Sequence, residues 1–249
     1  MNLLFLGTGT STGIPQIGCK CRTCVSNDSK DKRLRASVLV SLGTSSILID
    51  CGPDIRQQCL ANSINHISAI LLTHEHYDHL GGLDDVRPLG SMKVYAESQV
   101  LSTIQRNMYY CFEKNKYPGV PRIQLNVIDT DEFSVEELNI QPIRVMHAKL
   151  PILGYRINKL AYLTDVKTID DESINQLQGL EILIINALRL KEHIAHLALH
   201  EALEIASKIG AKKTYFTHMS HDMGLHEEAT LLLPPNVFFA YDGLSINCQ

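Results

Sequence analysis

The sequence has no apolar run long enough to cross a membrane and no excess of positive charge. None of its 249 residues belongs to a stretch that approaches the roughly 18 apolar residues of a membrane span, and the apolar start over residues 3–6 is too short for a signal-peptide core. Lys and Arg number 23 against 27 Asp and Glu, so 23 − 27 gives a net charge of −4. We therefore expect a cytoplasmic protein with no membrane partner, and we do not expect nucleic acid as its substrate.

The chain also lacks a low-complexity linker, a charge run, a fixed-period repeat and an even number of cysteines. A hydrophobic content of 45% suffices for a sizeable core, and we expect a single domain over residues 1–249. Seven cysteines in a chain without a secretion signal argue against a disulfide framework. Metal binding or plain burial of these thiols is the expected alternative.

What the sequence does contain is an alternation of short apolar runs with fewer helical stretches, which predicts an α/β fold rich in strands. The predicted helices cover residues 53–61, 97–110, 170–178 and 197–209. The predicted strands cover residues 2–6, 37–42, 46–49, 69–72, 93–96, 124–128, 140–145, 161–163, 181–185, 214–216 and 237–240.

The segment LLTHEHYDHLGG crowds His74, His76, Asp78 and His79 into six positions, directly after a predicted buried strand. Imidazole nitrogen and carboxylate oxygen are ligands that suit Zn²⁺, Mn²⁺ or Fe²⁺. Four such groups on one loop can serve two ions. A solvated polar loop is the alternative interpretation.

A second cluster, in IGCKCRTC, places Cys19, Cys21 and Cys24 within six residues. Three thiolates can occupy three corners of a tetrahedral zinc site, with His221 or His226 as the fourth ligand. Such a closed site would be structural. The alternatives are free buried thiols or a redox pair.

The segment KEHIAHLALHEAL supplies a candidate proton donor. The predicted helical stripe of Leu199 and Leu203 includes His196, which should face inward, while His200 and Glu201 should face water. His193 is the alternative donor. Hydrolysis of a phosphoester requires such a group, because the departing alkoxide needs a proton.

The motif His74-x-His76-x-Asp78-His79 resembles the signature of the metallo-β-lactamase superfamily. The resemblance implies a four-layer αββα sandwich with two divalent ions, zinc or manganese, at one edge. It assigns His74, His76 and His147 to one ion, Asp78, His79 and His218 to the other, and Asp165 to both. It also makes Asp50 the carboxylate that orients a ligand histidine; a turn residue before Gly52 is the alternative interpretation.

The thiolate cluster within this fold resembles the phosphoribosyl cyclic phosphodiesterases of phosphonate breakdown, as do the segments FLGTGTSTGIP, YPGVP and AYDGL. This branch implies that His221 completes one structural zinc site and that the candidate catalytic residues are His196 and Asp78. The expected substrate is a small, cyclic or simple phosphodiester attacked by hydroxide at the metal pair. The resemblance also suggests a homodimer.

Three other functions remain open. The superfamily's tRNA 3′-end nuclease carries a long RNA-binding arm between its counterparts of His147 and Asp165, but 165 − 147 leaves only 18 positions here. A hydrolase of another ester, thioester or lactam shares the fold, which does not fix the substrate. A non-catalytic metal-binding scaffold would be expected to have lost a ligand, and all seven are present.

Overall fold

The computed structural model describes residues 1–248, which form fourteen strands. In chain order the strands are β1 Asn2–Gly7, β2 Ser37–Leu42, β3 Ser45–Ile49, β4 Ala69–Leu71, β5 Ser91–Ala96, β6 Arg122–Val127, β7 Phe133–Val135, β8 Leu138–His147, β9 Leu150–Ile157, β10 Leu160–Leu163, β11 Ile182–Asn186, β12 Lys213–Thr217, β13 Val237–Phe239 and β14 Ser245–Asn247.

The strands form two mixed sheets of seven strands each. The first has the order β14-β1-β2-β3-β4-β5-β6 and the second the order β13-β12-β11-β10-β9-β8-β7. In the first sheet β3 to β6 run parallel, and in the second β10 to β13 do. The remaining neighbours are antiparallel: β2–β3, β7–β8, β8–β9 and β9–β10 are hairpins, β1 and β2 are separated by residues 8–36, and β14 joins β1 across nearly the whole length of the chain.

Residues 1–248 contain seven α-helices: α1 Arg22–Val25, α2 Ile55–Ala61, α3 Tyr77–Leu80, α4 Ser98–Asn107, α5 Asp171–Gln176, α6 Leu199–Ile209 and α7 His226–Thr230. Of these, α2 and α4 pack on the outer face of the first sheet and α6 on that of the second. Among the described residues no helix combines the length and the apolar character needed to cross a bilayer.

Three buried clusters separate the layers, and the two-residue period of the strands divides side chains between them. In β3, Ile47 and Ile49 belong to the cluster between the sheets, whereas Leu48 belongs to the cluster under α2 and α4. A third cluster joins the second sheet to α6 through residues such as Leu163 and Ala202. This arrangement confirms the predicted four-layer αββα sandwich.

All eleven predicted strands are present, but β7, β9 and β14 were not predicted. β9 contains Pro151 and Gly154, which normally indicate a turn, yet it pairs with β8 along eight residues. Gly154 is required because a Cβ there would lie 2.3 Å from a methyl carbon of Leu163 and 2.9 Å from the carbonyl oxygen of Tyr162. The apparent turn signal therefore reflects close packing of neighbouring strands.

Candidate metal centre

Strands of both sheets end at a common edge, and the predicted ligands follow them. His74, His76, Asp78 and His79 come after β4 of the first sheet. In the second sheet, His147 is the last residue of β8, Asp165 lies just beyond β10, and His218 follows β12. The structure thus brings all seven predicted ligands to one edge of the sandwich.

Three residues of this edge have left-handed backbone conformations. The φ angles are 64° at Asp50, 58° at Asp165 and 55° at His218. Such a conformation costs a residue with a side chain about 1–2 kcal/mol and occurs preferentially at functional sites. Each lies where the chain leaves a strand, and the sharp change of direction allows the side chain to reach the edge.

The side-chain donors lie as far apart as ligands of one ion would. Nε2 of His79 is 3.1 Å from Oδ2 of Asp78 and 3.2 Å from Oδ2 of Asp165. Nε2 of His218 is 3.3 Å from the same Asp165 oxygen. Ligand atoms around a tetrahedral zinc ion, with bonds of about 2.0–2.1 Å to nitrogen, lie about 3.3 Å apart. The donor spacing therefore fits a metal ion.

Four triplets of donors at this edge have ligand atoms within 4.8 Å of one another. They are His74, His76 and His147; His74, His79 and Asp165; Asp78, His79 and His218; and His147, Asp165 and His196. Asp165 belongs to two of these groups, and its oxygens lie near donors of both predicted ions. The four triplets share members, so these eight residues form one continuous cluster.

Hydrogen bonds around the cluster leave ring nitrogens facing inward without partners. Within residues 1–248, the buried Nε2 atoms of His79 and His218 have no hydrogen-bond partner. A buried polar atom without a partner costs about 1–3 kcal/mol. Nitrogen lone pairs directed at a shared point beside carboxylate oxygens are the environment that a cation satisfies.

Neighbouring groups determine which nitrogen each histidine presents. Nδ1 of His79 donates to Oδ2 of Asp50 at 2.7 Å, and Nδ1 of His147 donates to the carbonyl oxygen of Ala195 at 2.9 Å. The Thr73 hydroxyl donates to Asp50 at 3.0 Å, so it accepts from Nδ1 of His74, also at 3.0 Å. These three histidines consequently present Nε2 to the cluster, the arrangement typical of metal ligands.

Asp50 is the centre of this supporting network. It is fully buried and accepts hydrogen bonds from the Thr73 backbone N–H and hydroxyl as well as from His79. Burial raises the pKa of Asp50, although His79 and Thr73 act in the opposite direction. Burial alone would lower the pKa of His79, but Asp50, Asp165 and Asp78 outweigh it and raise that pKa well above its usual value. The location of Asp50 is that of an orienting carboxylate rather than of a solvated turn residue.

Thr73 was not predicted as a site residue, although it directly precedes His74. Its hydroxyl connects Asp50 to His74, so one carboxylate orients two histidines. The sequence signal was the position of Thr73 between a buried strand and the histidine motif. Nothing in the motif itself distinguishes this threonine from a strand residue.

His196 lies at the cluster but not on helix α6. The helix begins at Leu199, two residues later than predicted, and His196 belongs to the preceding loop. Its Nδ1 is 3.5 Å from Oδ1 of Asp165, and its ring stacks on that of His218 at 5.1 Å. Burial, followed by the charge of His218, lowers the pKa of His196 to about 3. The inward position is as predicted, but a loop produces it and not a helical stripe.

His193 and Glu201 differ in their relation to this site. The His193 ring lies 5.1 Å from that of His196, and its Nδ1 accepts a hydrogen bond from the Ala195 N–H. Glu201 was expected to face water, whereas it accepts from the Ala198 N–H at 2.8 Å and pairs with Lys167 at 2.6 Å. Glu201 therefore caps α6, which holds the beginning of the helix beside the loop of His196.

The thiolate cluster forms a second candidate metal site. Nδ1 of His221 lies 3.3 Å from Sγ of Cys19, 3.6 Å from that of Cys21 and 3.3 Å from that of Cys24. Zinc bonds of about 2.3 Å to sulfur and 2.0–2.1 Å to nitrogen imply similar separations. His226 is elsewhere, where its Nδ1 accepts from the buried guanidinium of Arg33 at 3.1 Å. The structure brings His221, and not His226, to the thiols.

All seven cysteines are free thiols within residues 1–248. Burial raises the pKa of Cys24 to about 11. A hydrogen bond from the Cys24 backbone lowers the pKa of Cys21. Without an ion the Cys24 thiol is protonated at neutral pH, so metal binding there would release a proton.

The donor cluster is partly accessible to solvent. His76 is exposed and Asp78 is partly exposed, whereas His74, His79 and Asp165 are buried. A cavity of 160 Å³ lies beside His74 and is lined mainly by polar side chains: Thr73, Glu75, Glu97, Ser98 and Gln99. Two surface cavities of 330 Å³ lie away from these donors, so size alone does not identify the site.

Comparison with known proteins agrees with this geometry. Residues 45–219 match the family described as the Beta-lactamase superfamily domain. A crystal structure described as a new diphosphatase from the PhnP family is 39% identical, with a TM-score of 0.93 over 100% of this chain and 98% of that chain. Zn²⁺-bound PqqB from Methylobacterium extorquens is 21% identical, with a TM-score of 0.85 over 100% of both chains, and shows the shared fold.

Among curated proteins, an octanoyltransferase of Porphyromonas gingivalis strain W83 is 46% identical over 98% of this chain. The match covers 51% of that protein. The chain thus spans about half the length of this relative.

Proposed function

Because this chain belongs to the metallo-β-lactamase superfamily, we propose that it is a metal-dependent hydrolase of a small phosphodiester. The observation that carries the proposal is the convergence of seven imidazole and carboxylate donors at one sheet edge, with the spacing that ligands of metal ions have. A superfamily fold without these donors would support no particular chemistry.

The proposed ligand sets follow the donor triplets. One ion would be held by His74, His76 and His147, and the other by Asp78, His79 and His218. Asp165 lies within reach of donors of both sets and would contribute to holding both ions. When bound, two divalent ions would supply the nucleophile and stabilise charge during displacement at phosphorus.

The residues of the chain itself perform the remaining tasks. Asp50 and Thr73 orient His74 and His79, and the carbonyl oxygen of Ala195 orients His147. His196 protonates the departing alkoxide. Burial lowers the pKa of this ring to about 3, and the negative charge of a phosphate bound beside it would act in the opposite direction.

The substrate is small because no arm extends over the site between His147 and Asp165. Strands β9 and β10 occupy this interval and form part of the second sheet. An RNA-processing nuclease of the superfamily's tRNA type would need a further RNA-binding element. The complete donor set argues against a non-catalytic scaffold.

A phosphoric anhydride is the second candidate substrate, and the 39% identical protein described as a diphosphatase favours it. The two candidates differ in the leaving group. A departing phosphate needs no proton at neutral pH, whereas an alkoxide does, so only the diester requires His196 as an acid. This chain matches about half of the octanoyltransferase relative, and either half of that protein could carry its activity. An octanoyl thioester is therefore a third substrate to test.

An assay of metal-depleted protein reloaded with Zn²⁺ or Mn²⁺ tests the proposal. The substrates are an alkyl phosphodiester, an unsymmetrical diphosphate and an octanoyl thioester. We expect metal-dependent diester hydrolysis and, by metal analysis, three ions per chain: two at the donor cluster and one at the thiolate cluster.

The Asp165→Asn variant should have no turnover and should bind at least one ion fewer. The control variant Asp171→Asn, at an exposed position, should keep the turnover and the metal content of the wild type. Diester hydrolysis that survives metal removal, or a preference for the thioester, would contradict the proposal. A preference for the diphosphate would select the second candidate.

A further inference from the structure

Asn186 is a buried amide to which the proposed mechanism assigns no role. It is the last residue of β11 and is fully buried. Its Oδ1 accepts a hydrogen bond from the Val166 N–H at 2.7 Å, and its Nδ2 donates to the Val166 carbonyl oxygen at 3.1 Å. The side chain therefore binds both polar groups of a single backbone residue.

Val166 connects two residues of the donor cluster. It directly follows Asp165, whose φ is 58°. Its carbonyl oxygen also accepts a hydrogen bond from the Leu197 N–H at 2.9 Å, and Leu197 directly follows His196. One backbone residue thus lies next to the proposed bridging carboxylate and is bonded to the segment of the proposed acid.

The strand ladder does not fix this region. Strand β10 ends at Leu163, which pairs with Ile185, so Val166 lies beyond the last paired residue. The Asn186 side chain provides two hydrogen bonds at the point where the backbone of β11 provides none to Val166. A left-handed conformation at a residue with a side chain persists only where its surroundings hold it in place.

We propose that Asn186 is a positioning residue that holds the Asp165 carboxylate and the His196 ring in a fixed relation to one another. The inference rests on the proposed function, because it assigns a role to both residues. The two hydrogen bonds act through the Val166 backbone, and Asn186 itself reaches neither substrate nor ion.

Only an amide can satisfy both groups of Val166 at these distances. An aspartate of the same shape accepts from the N–H but, when ionised, offers no donor to the carbonyl oxygen. A leucine of similar size satisfies neither group. The Val166 N–H then has no partner and the Val166 carbonyl oxygen keeps only the Leu197 N–H, so the Asp165 turn is held less firmly.

The test compares Asn186→Asp and Asn186→Leu with Gln58→Leu. Gln58 is a matched control because it is also a buried amide that donates to a backbone carbonyl, that of Arg35 at 2.9 Å, on the first sheet's side of the molecule. The first measurement is retention of each metal ion against a chelator. Loss of a group that orients metal ligands typically weakens metal affinity about 10–100-fold. We expect the affinity for one of the two ions to fall by this amount in the Asn186 variants.

The second measurement is the ratio of turnover on alkyl and nitrophenyl diesters. A displaced His196 should reduce turnover of the alkyl diester more than that of the nitrophenyl diester, and Gln58→Leu should change neither this ratio nor metal retention.

If Asn186→Leu does not fold, Asn186→Asp carries the test. If the wild type hydrolyses no diester, the proposed function fails, but metal retention still tests Asn186. Folded Asn186 variants that hold both ions as the wild type does would overturn the inference.

Discussion

Burial, more than any neighbouring group, keeps the ring of His196 neutral, so its proposed role depends on what binds beside it. Its neighbours are the imidazoles of His147, His193 and His218 and the carboxylate of Asp165, which alone among them raises its pKa. A phosphate placed between these groups adds the negative charge that a protonated ring requires.

His196→Ala should reduce turnover of an alkyl diester by about 10²–10⁴-fold while metal content stays unchanged, because an alkoxide cannot leave without a proton. Nitrophenyl diesters should be affected much less, since nitrophenolate is a stable anion. The measurement is turnover on both substrates together with metal analysis. His200→Ala is the control, because His200 is exposed on the same segment. Equal losses on both substrates would assign another role to His196 and make His193 the next candidate.

At the scale of elements, the thiolate cluster attaches the N-terminal loop to the edge that carries the donors. Besides the three thiols, the Thr23 hydroxyl donates to the His221 carbonyl oxygen at 3.0 Å. His221 itself follows His218 by three residues, so the same turn contributes to both candidate metal sites. Loss of an ion from the thiolate cluster should therefore loosen the loop before it disturbs the chemistry.

Cys21→Ser should lower the melting temperature of the zinc-loaded protein, because binding energy at a closed metal site contributes directly to folding. A loss of about 3 kcal/mol would correspond to about 6–12 °C in a domain of this size. Differential scanning calorimetry measures the change, and Cys248→Ser, which alters a partly buried thiol outside the cluster, is the control. An unchanged melting temperature combined with lost turnover would show that the thiolate cluster is not structural.

The elements that the sequence predicted have either a continuous apolar run or one apolar face. The strand over residues 69–72 is an apolar run buried on both faces, the helix over residues 197–209 has one buried face, and both were located to within two residues. β9 was not predicted because its Gly154 is needed for packing against Leu163, a contact that the sequence does not reveal. The turn before β9 was equally hidden, since its left-handed residue is Ala148 and not Gly or Asn.

The donor cluster was predictable because four of its members share one motif and the others follow strands. The choice between His221 and His226 required a resemblance, since both histidines are within reach of a turn from the same strand. Asn186 and Thr73 could not be identified from the sequence. Asn186 binds backbone groups, which every residue has, so no side-chain pattern indicates it. Thr73 binds the carboxylate of Asp50, which only the fold brings near it.

At the scale of the whole molecule, a buried network joins the two ends of the chain. The guanidinium of Arg33 donates to the Thr8 hydroxyl and to the carbonyl oxygen of Ala240, and the Thr8 hydroxyl donates to Asp242. His226 also accepts from Arg33. The segments FLGTGT and AYDGL, far apart in sequence, thus meet around one buried cation.

This network should make stability depend on pH in two opposite ways. Burial, followed by the charge of Arg33, lowers the pKa of His226 to about 4, below the value of about 6.5 expected for the unfolded chain. The stability that His226 contributes is therefore complete above pH 6.5 and is lost as the pH falls towards 4. Burial raises the pKa of Asp242 to about 6, so its contribution is complete below about pH 3.9 and is lost as the pH rises towards 6.

His226→Gln isolates the first contribution, because glutamine can accept from Arg33 but does not titrate. The melting temperature of the wild type relative to the variant should fall as the pH is lowered from 6.5 to 4. Thermal unfolding of both proteins across this range, at equal metal content, measures the difference. Parallel profiles would mean that His226 does not lose a proton on folding.

The pairing of Cys19, Cys21 and Cys24 with His221 also has a consequence for the time at which the protein becomes complete. After Cys24 is synthesised, 221 − 24 = 197 further residues must be added before its fourth partner exists. At about 5–20 residues per second this takes about 10–40 s, during which the three thiols are part of a nascent chain. His218 arrives almost together with His221, so both candidate centres can be completed only after the segment that carries these two histidines has been synthesised. Until then the early thiols depend on a reducing environment.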